Sequence, residues 1–310
     1  MINSVLGPID PSELGFTLMH EHIVCKSASM DQAFPDWFNR QEVLSSAVNE
    51  LRYAKQQGLQ TMVDVTPITL GRDIRLLRDV SEKTGVNIIA STGFYYIDEF
   101  FLGGWKIEDL VDQLIREIEE GIQGTDIKPG VIKCASATEI TPTNEKLLRV
   151  AARLHKKSGL PVTTHSSSRD KNGIPQLEIL LDEGVEPGKL VIGHCGDTTD
   201  MDYLETILAS GCYIGLDRFG IEFMLSNDSR IDVLVELLEK GYEDQIVISH
   251  DYIVSYDWFP EKLTRKVIDS DDPWSFHDIL VDIIPKLIDK GVSEKQIKNL
   301  TNGNPKKILG

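Results

Sequence analysis

The feature that most constrains this chain is an alternation repeated along its length, in which short β-branched or apolar runs are separated by longer amphipathic stretches. The runs are Gly15 to His20, Thr61 to Val65, Ile88 to Thr92, Val131 to Cys134, Val162 to His165, Val191 to His194, Tyr213 to Leu216 and Ile246 to His250. Between them, Arg40 to Gln57, Arg72 to Thr84, Ile107 to Ile122, Thr143 to Lys157, Pro175 to Glu183, Asp200 to Ala209 and Ile231 to Lys240 carry helical periodicity. Gly58, Gly85, Gly159, Gly184, Gly211 and Gly241 stand at the expected helix stops. The alternation predicts a parallel α/β fold, and eight strands is the number that closes a (β/α)8 TIM barrel. A last pair of helices, Ser275 to Lys290 and Ser293 to Leu300, is expected to pack the C-terminus. An open doubly wound sheet shares this alternation but calls for a Gly-rich phosphate turn after its first strand. That position holds Met19-His20-Glu21-His22 instead.

No Pro/Gly/Ser-rich linker, low-complexity tract or internal repeat divides the sequence, so one domain over residues 1–310 is the simpler organisation. A formal net charge of −17 argues against nucleic acid or an anionic membrane as partner, because polyanionic surfaces call for basic patches. No apolar run approaches the roughly 20 residues that span a bilayer, and the first residues lack a signal peptide's basic segment and apolar core. A cytoplasmic location is the expectation. Cys25, Cys134, Cys195 and Cys212 form no C-x-x-C pair and are expected as free, buried thiols. Cys134 and Cys195 each follow a candidate site residue, which points them at the helices if both lie on strands.

His20 and His22, at i and i+2 on a strand, present two imidazoles to one face, where both can reach one metal. Alone, such a pair is equally compatible with a structural role. The remaining candidates fall at an equivalent place, the C-terminal ends of later strands, where TIM barrels hold their active sites. Lys133 ends Val131-Ile132-Lys133, His165 ends Val162-Thr163-Thr164-His165, His194 follows Val191-Ile192-Gly193, and Asp251 follows Ile248-Ser249-His250. Four imidazoles, a carboxylate and a lysine thus converge on one mouth. A protonated ammonium cannot ligate a cation, but beside divalent ions and out of bulk water its pKa falls, and the neutral amine can add carbon dioxide. The resulting carbamate is anionic and bidentate.

The segments Thr17-Leu18-Met19-His20-Glu21-His22, Gly130-Val131-Ile132-Lys133, Thr164-His165-Ser166, Ile192-Gly193-His194-Cys195-Gly196-Asp197 and Ser249-His250-Asp251-Tyr252 together resemble the phosphotriesterase family of the amidohydrolase superfamily. The similarity runs from Val5 to Asn304-Pro305. It implies that His20, His22 and Asp251 hold one divalent ion and His165 and His194 another, with N6-carboxylated Lys133 and a hydroxide bridging them. Zinc is the first expectation, with manganese, cobalt or iron also compatible with a mixed N/O donor set. The same resemblance implies a homodimer and a small-molecule ester substrate.

Departures within the family bear on substrate. Family phosphotriesterases carry a proton-shuttling histidine after the Asp of strand seven, whereas this chain reads Leu216-Asp217-Arg218-Phe219-Gly220, similar to the phosphotriesterase-like lactonases. Thr92-Gly93-Phe94-Tyr95 also resembles them, with Tyr95 at the position that approaches the lactone ring oxygen or the bridging hydroxide. The resemblance therefore implies lactone opening with Asp251 as proton acceptor and Tyr95 and Arg218 as further catalytic groups, and with organophosphate triesters as a side activity. Tyr95 as a rim aromatic, and Arg218 as an ion-pair partner of Asp217 or Asp197, stay open. His250 is expected to point away from the metals, and Asp197 and Asp217 to orient partners.

Two apolar stretches are expected to be loops shaping the pocket, as a lid, a substrate wall or a subunit interface. One is Tyr95 to Trp105, with Phe100, Phe101, Leu102 and Trp105; the other is Tyr252 to Pro260, with Ile253, Val254, Tyr256, Trp258 and Phe259. Tyr252, Ile253 and Trp258 join Tyr95 and Arg218 as candidate substrate contacts. Competing readings are a dedicated aryldialkylphosphatase, a lactonase for sugars or phosphorylated sugars using Arg218, Lys26 or Arg72 as cationic contacts, and a metal-binding barrel without turnover.

Overall fold

The helix stops read from the glycines are where the backbone turns. In the computed structural model, which describes residues 1–258 and 274–310, Gly58, Gly85, Gly159, Gly184, Gly211 and Gly241 all take positive φ. A side chain would strain such a turn, whereas glycine enters it freely. At Gly85, with φ +68°, the amide closes back onto the Ser81 carbonyl and the chain re-enters the sheet two residues later.

The chain opens with an antiparallel hairpin of β1 (Ile2–Ser4) and β2 (Gly7–Ile9), which the periodicity did not reveal. The first barrel strand, β3 (Phe16–Cys25), is followed by α1 (Ala28–Ala33), α2 (Arg40–Gln57), β4 (Leu59–Asp64), α3 (Ile74–Thr84), β5 (Asn87–Gly93) and α4 (Ile107–Glu119). Then come β6 (Val131–Ala135), α5 (Pro142–Ser158), β7 (Val162–His165), α6 (Gly173–Asp182), β8 (Leu190–Ile192), α7 (Met201–Leu208), β9 (Tyr213–Leu216), α8 (Asn227–Glu239), β10 (Ile246–Ile248) and β11 (Ile253–Tyr256). Short helices at Ile284–Asp289, Glu294–Lys298 and Asn304–Leu309 finish the chain, with π-helical turns at Ile279–Ile283 and Asn299–Gly303. None of the described helices is long and apolar enough to cross a membrane.

The nine-stranded sheet has the order β10-β9-β8-β7-β6-β5-β4-β3-β11, with parallel pairing throughout. β10 and β11 are two parts of one run, and the run closes the ring against β3. Asp251 N donates to His20 O at 3.1 Å, His22 N donates to Tyr252 O at 2.9 Å, and Ile253 pairs with His22. The expected (β/α)8 barrel with C-terminal helices is therefore the fold. The stretch from Tyr252, expected as a loop, instead begins with strand β11, because its amides complete the sheet edge that β3 offers. Phe259 and Pro260 lie outside the described residues.

Alternation along the strands separates two packing regions. Ile132 and Cys134 of β6 face outward into a large apolar layer with Leu147, Leu148 and Ala151 of α5, while Val131 and Lys133 face inward. Cys195 also packs in the outer layer, and all four cysteines are free and buried. Inside, Met19, Val63, Ile89, Val131, Val191, Tyr213 and Val247 form an apolar floor, sealed below by Ile2, Leu14, Ile308 and Leu309. The pairing of β3 with β4 shifts register twice, between Phe16 and Thr17 and again toward the mouth. Between Leu18 and Glu21 the pairing slips from Met62 to Asp64, so three steps on β3 oppose two on β4. This bulge turns both Met19 and His20 inward, the first to the floor and the second to the mouth.

Candidate metal centre

All six expected ligand positions meet at the C-terminal mouth. His20 and His22 come from the upper half of β3, Lys133 from β6 and His165 from the end of β7. His194 lies two residues beyond β8 rather than on a strand, and Asp251 sits between β10 and β11. Both are non-glycine residues with left-handed backbones, at φ +59° and +56°. Such conformations cost energy and persist where surrounding contacts impose them, commonly at functional sites. Here they swing the two side chains in over the barrel end.

The donor atoms crowd one another. His20 Nε2 is 2.9 Å from Lys133 Nζ, His22 Nε2 is 3.2 Å from Asp251 Oδ1, and His194 Nε2 is 2.7 Å from His165 Nδ1. His20 Nε2 also lies 3.6 Å from Asp251 Oδ1. His20, His22 and Asp251 offer donor atoms spaced for one ion, and so do His20, His194 and Asp217. Buried imidazole nitrogens and carboxylate oxygens that converge at this spacing are the donors divalent metals take, so the donor set fits such ions.

Asp217, just beyond β9, was legible in the sequence only as an orienting residue. It is fully inside the cluster. Its Oδ1 accepts from His194 N at 2.8 Å and meets His194 Nδ1 at 2.9 Å, while Oδ2 lies 3.0 Å from His20 Nδ1. Holding His194 Nδ1 leaves its Nε2 free to face the centre, while His20 Nδ1 stands at ion-pair distance from Oδ2 without a hydrogen bond. Gly215 makes the room: a Cβ there would run into the Asp217 carboxylate. His22 is oriented likewise, through Nδ1 and Thr66 Oγ1 at 2.8 Å, and Asp64 fixes the Thr66 amide at 3.0 Å.

Burial and facing charges compete over the protonation of the centre, and burial prevails at Lys133, His20 and His165. Burial pushes the Lys133 amine down to about 8, with Asp251 and Asp217 pulling the other way. Among the described residues no carboxylate forms an ion pair with Lys133, so the neutral amine that carboxylation needs is accessible near neutral pH. Burial, then the Lys133 charge, brings His20 down to about 3. His165 is held well below the usual imidazole range by burial and the neighbouring His194 and Arg218. Asp217 and Asp251 resist burial's upward push, because the facing imidazoles and, for Asp251, Arg218 hold them well below the usual carboxylate range. His22 goes the other way: burial pushes it down, but Cys25 and the facing Asp251 carboxylate together outweigh burial and raise it to about 10. Neutral imidazoles at His20 and His165, ionised carboxylates and a deprotonable amine are states that ligate cations, and His22 must give up its proton to join them.

Arg218 both borders the mouth and is ion-paired. Its Nε donates to Asp251 Oδ2 at 2.9 Å and its Nη1 to Asp197 Oδ2 at 2.8 Å, and Asp197 Oδ1 accepts from the buried Arg230 at 2.7 Å. Tyr95 Oη is 3.3 Å from both ring nitrogens of His165. Burial raises its phenol well above the usual value, so Tyr95 is a hydrogen-bond donor and not a phenolate.

Above the centre opens a cavity of about 410 Å³. His22, Lys133, His165, Asp251, Tyr95 and Arg218 line its base, and Leu70, Ile221, Phe223, Met224, Ile253, Tyr256, Trp258 and Trp274 its walls. Four expectations change here. Tyr252 is not among the lining residues: its ring packs edge-on against Trp274 and Phe276, because its amide is bound on the far side of the strand run. Lys26 is paired with Asp31 at 2.7 Å and covers Phe38, so it offers no cationic contact to a substrate. Arg72 is buried in a two-pronged pair with Glu117. Phe101 and Trp105 line a separate outer groove with Leu110 and Leu114 of α4, so that loop reaches the cavity only through Tyr95.

His250 points away from the cluster. Its Nδ1 meets Glu21 at 2.9 Å and its Nε2 accepts from Ile279 N at 3.0 Å.

Sequence comparison covers the whole chain. A family model described as Phosphotriesterase family matches residues 1–309. The chain is 42% identical to a protein named aryldialkylphosphatase from Saccharolobus solfataricus, over 97% of this chain and 96% of that one. It is 36% identical to a phosphotriesterase homology protein of Mycobacterium tuberculosis, over 99% and 97% of the two chains. It is 30% identical to an N-acetyltaurine hydrolase of Rattus norvegicus, again over 99% and 97%. Full-length coverage, the barrel and the His/Asp groups at its mouth together lead to one assignment: this chain belongs to the phosphotriesterase family.

Proposed function

We propose that the chain is a binuclear metal-dependent hydrolase that opens lactone rings. The observation that carries this reading is the cavity itself, a mostly apolar chamber whose base holds the ligand cluster, Tyr95 and Arg218 together. Asp251, His20 and His22 would hold one cation, His165 and His194 the other, and carboxylated Lys133 would link them. Zinc suits the N/O donors, as do manganese, cobalt and iron. Bound there, the two ions would lower the pKa of a shared water and polarise the carbonyl under attack.

The chain's own residues do the rest. Asp251, ionised and fixed through Oδ2 by Arg218, takes the proton of the attacking water. Tyr95, kept protonated by burial, donates its hydroxyl hydrogen toward the ring oxygen that becomes the leaving alkoxide. Asp197 holds Arg218 in place from behind. Ile253, Tyr256, Trp258, Phe223 and Met224 receive the apolar part of the substrate and exclude water from it. Lys26 and Arg72 are paired elsewhere and Arg218 at the base is already held by Asp251 and Asp197, which favours uncharged lactones with an alkyl or acyl arm over phosphorylated sugar lactones.

A second reading, hydrolysis of organophosphate triesters, draws on the relative named aryldialkylphosphatase and on the same apolar walls. Rates on acyl-homoserine, aliphatic and phosphorylated sugar lactones and on a triester such as paraoxon, with metal-replete protein, decide between them. A kcat/KM on the triester above that on every lactone would overturn the lactonase reading. Exposed Phe100, Phe101 and Trp105 are available to a second copy of the chain, as the expected homodimer requires.

A further inference from the structure

We infer that Glu21, the residue between the two β3 imidazoles, is a positioning residue that sets the ligand group His20, His22 and Asp251. The inference rests on the metal-dependent reading above. Glu21 is fully buried and does not line the cavity. Its carboxylate reaches instead into the seam where β10 gives way to β11. Oε1 accepts from Ser249 Oγ at 2.8 Å, from His250 N at 2.9 Å and from His250 Nδ1 at 2.9 Å, and Oε2 accepts from Tyr252 N at 2.8 Å.

These partners surround Asp251 in sequence. The amides on both sides of it, of His250 and Tyr252, end on one carboxylate, and the left-handed Asp251 is the residue between them. Ser249 Oγ also accepts from His20 N at 2.9 Å. One acidic side chain therefore fastens the turn that carries Asp251 to the strand that carries His20 and His22. A left-handed non-glycine residue persists only when its surroundings over-determine it, and Glu21 supplies that constraint. His250 is part of the device: since its Nε2 accepts from Ile279 N, its proton sits on Nδ1, facing Glu21.

A carboxylate is needed because every partner is a donor. In Glu21→Gln one acceptor becomes an NH2 that faces another N–H or O–H, while size and shape stay the same. The other ligand pair has supports that Glu21 does not touch: Gln176 donates to His165 O at 2.9 Å, and Asp217 holds His194. Loosening Glu21 should therefore release one ion and not the other.

The test measures metal per chain, and its release to graded chelator, in the zinc-loaded full chain. Variants are Glu21→Gln, Glu21→Asp and Ser249→Ala, with Ile231→Val on α8 as a control for general destabilisation. Glu21→Gln is expected to keep one equivalent as tightly as wild type and to bind the other about 10- to 100-fold more weakly, with kcat recovering in excess zinc. Ser249→Ala, which removes one of the four partners, should shift the same equivalent by less, and it keeps the inference testable if the Glu21 variants fail to fold. Two equivalents held at wild-type affinity in these variants would overturn it. So would loss of both equivalents together in step with the fall in Tm. Wild-type protein that binds no zinc would overturn the functional reading itself, and this shows before any variant is compared.

Discussion

The barrel interior has two layers built from the same strands, and they follow opposite rules. The floor, with Met19, Val63, Ile89, Val131, Val191, Tyr213 and Val247, is apolar and is held by burial alone. Two residues further along, Val131 gives way to Lys133 and Thr163 to His165, and the mouth is made of ionisable groups that are as buried as the floor or nearly so. Removing surface from water stabilises the floor. The same removal destabilises the mouth unless its polar groups find partners; Asp217, Thr66, Glu21 and Arg218 supply many of them, while Lys133 has no carboxylate paired to it among the described residues. The floor thus supports the fold, while the mouth holds chemistry at the fold's expense.

Substitutions in the two layers should separate cleanly. The largest effect is expected for Lys133→Met, which removes the proposed linking group: kcat/KM on any lactone should fall by about three orders of magnitude or more, read in a steady-state assay with metal quantified. Unchanged turnover would remove the lysine from the mechanism. The same variant tests the electrostatics in metal-free protein. An amine depressed to about 8 from its ordinary 10.5 binds a proton more readily in the unfolded chain. Its contribution to stability therefore rises with pH between about 8 and 10.5 and is unfavourable and constant below. Metal-free Lys133→Met should accordingly be more stable than metal-free wild type at pH 7, and the gap should close toward pH 10.5, as denaturant unfolding at each pH will show.

Asp217→Asn comes next. Loss of the carboxylate that orients His194 and faces His20 should weaken metal binding about 10- to 100-fold, measured by chelator competition. A milder outcome is expected for Tyr95→Phe, with lactone kcat/KM falling about 10-fold, the worth of one hydrogen bond to a developing charge, and metal content unchanged. An unaltered kcat/KM would make Tyr95 a wall residue only. The smallest effect on chemistry belongs to the floor. Val247→Ala should cost about 2 kcal/mol of stability by denaturant titration and leave turnover per folded, metal-loaded molecule as it was. A loss of turnover there would mean that the two layers are not independent.

The division also shows what could be read without a structure. Periodicity and helix-ending glycines are local properties, so the barrel, its strands and the helix stops at Gly58, Gly85, Gly159, Gly184, Gly211 and Gly241 were legible from the chain alone. Strand-end position singled out His20, His22, Lys133, His165, His194 and Asp251 for the same reason. Contacts between segments distant in sequence were not legible. Strand β11 forms because β3, far earlier in the chain, offers it a partner. Lys26 and Arg72 were available as substrate contacts until Asp31 and Glu117 were seen to occupy them.

The sequence by itself determined which groups stand at the barrel's mouth, because residue type and strand period are written along the chain. Only the tertiary structure decided how they are aimed. The bulge in β3 turns Met19 and His20 to the same side, the left-handed turns at His194 and Asp251 swing their side chains inward, and Asp217 and Glu21 hold them there. Each depends on hydrogen bonds between segments that meet only when the ring closes, and no local pattern encodes such a meeting.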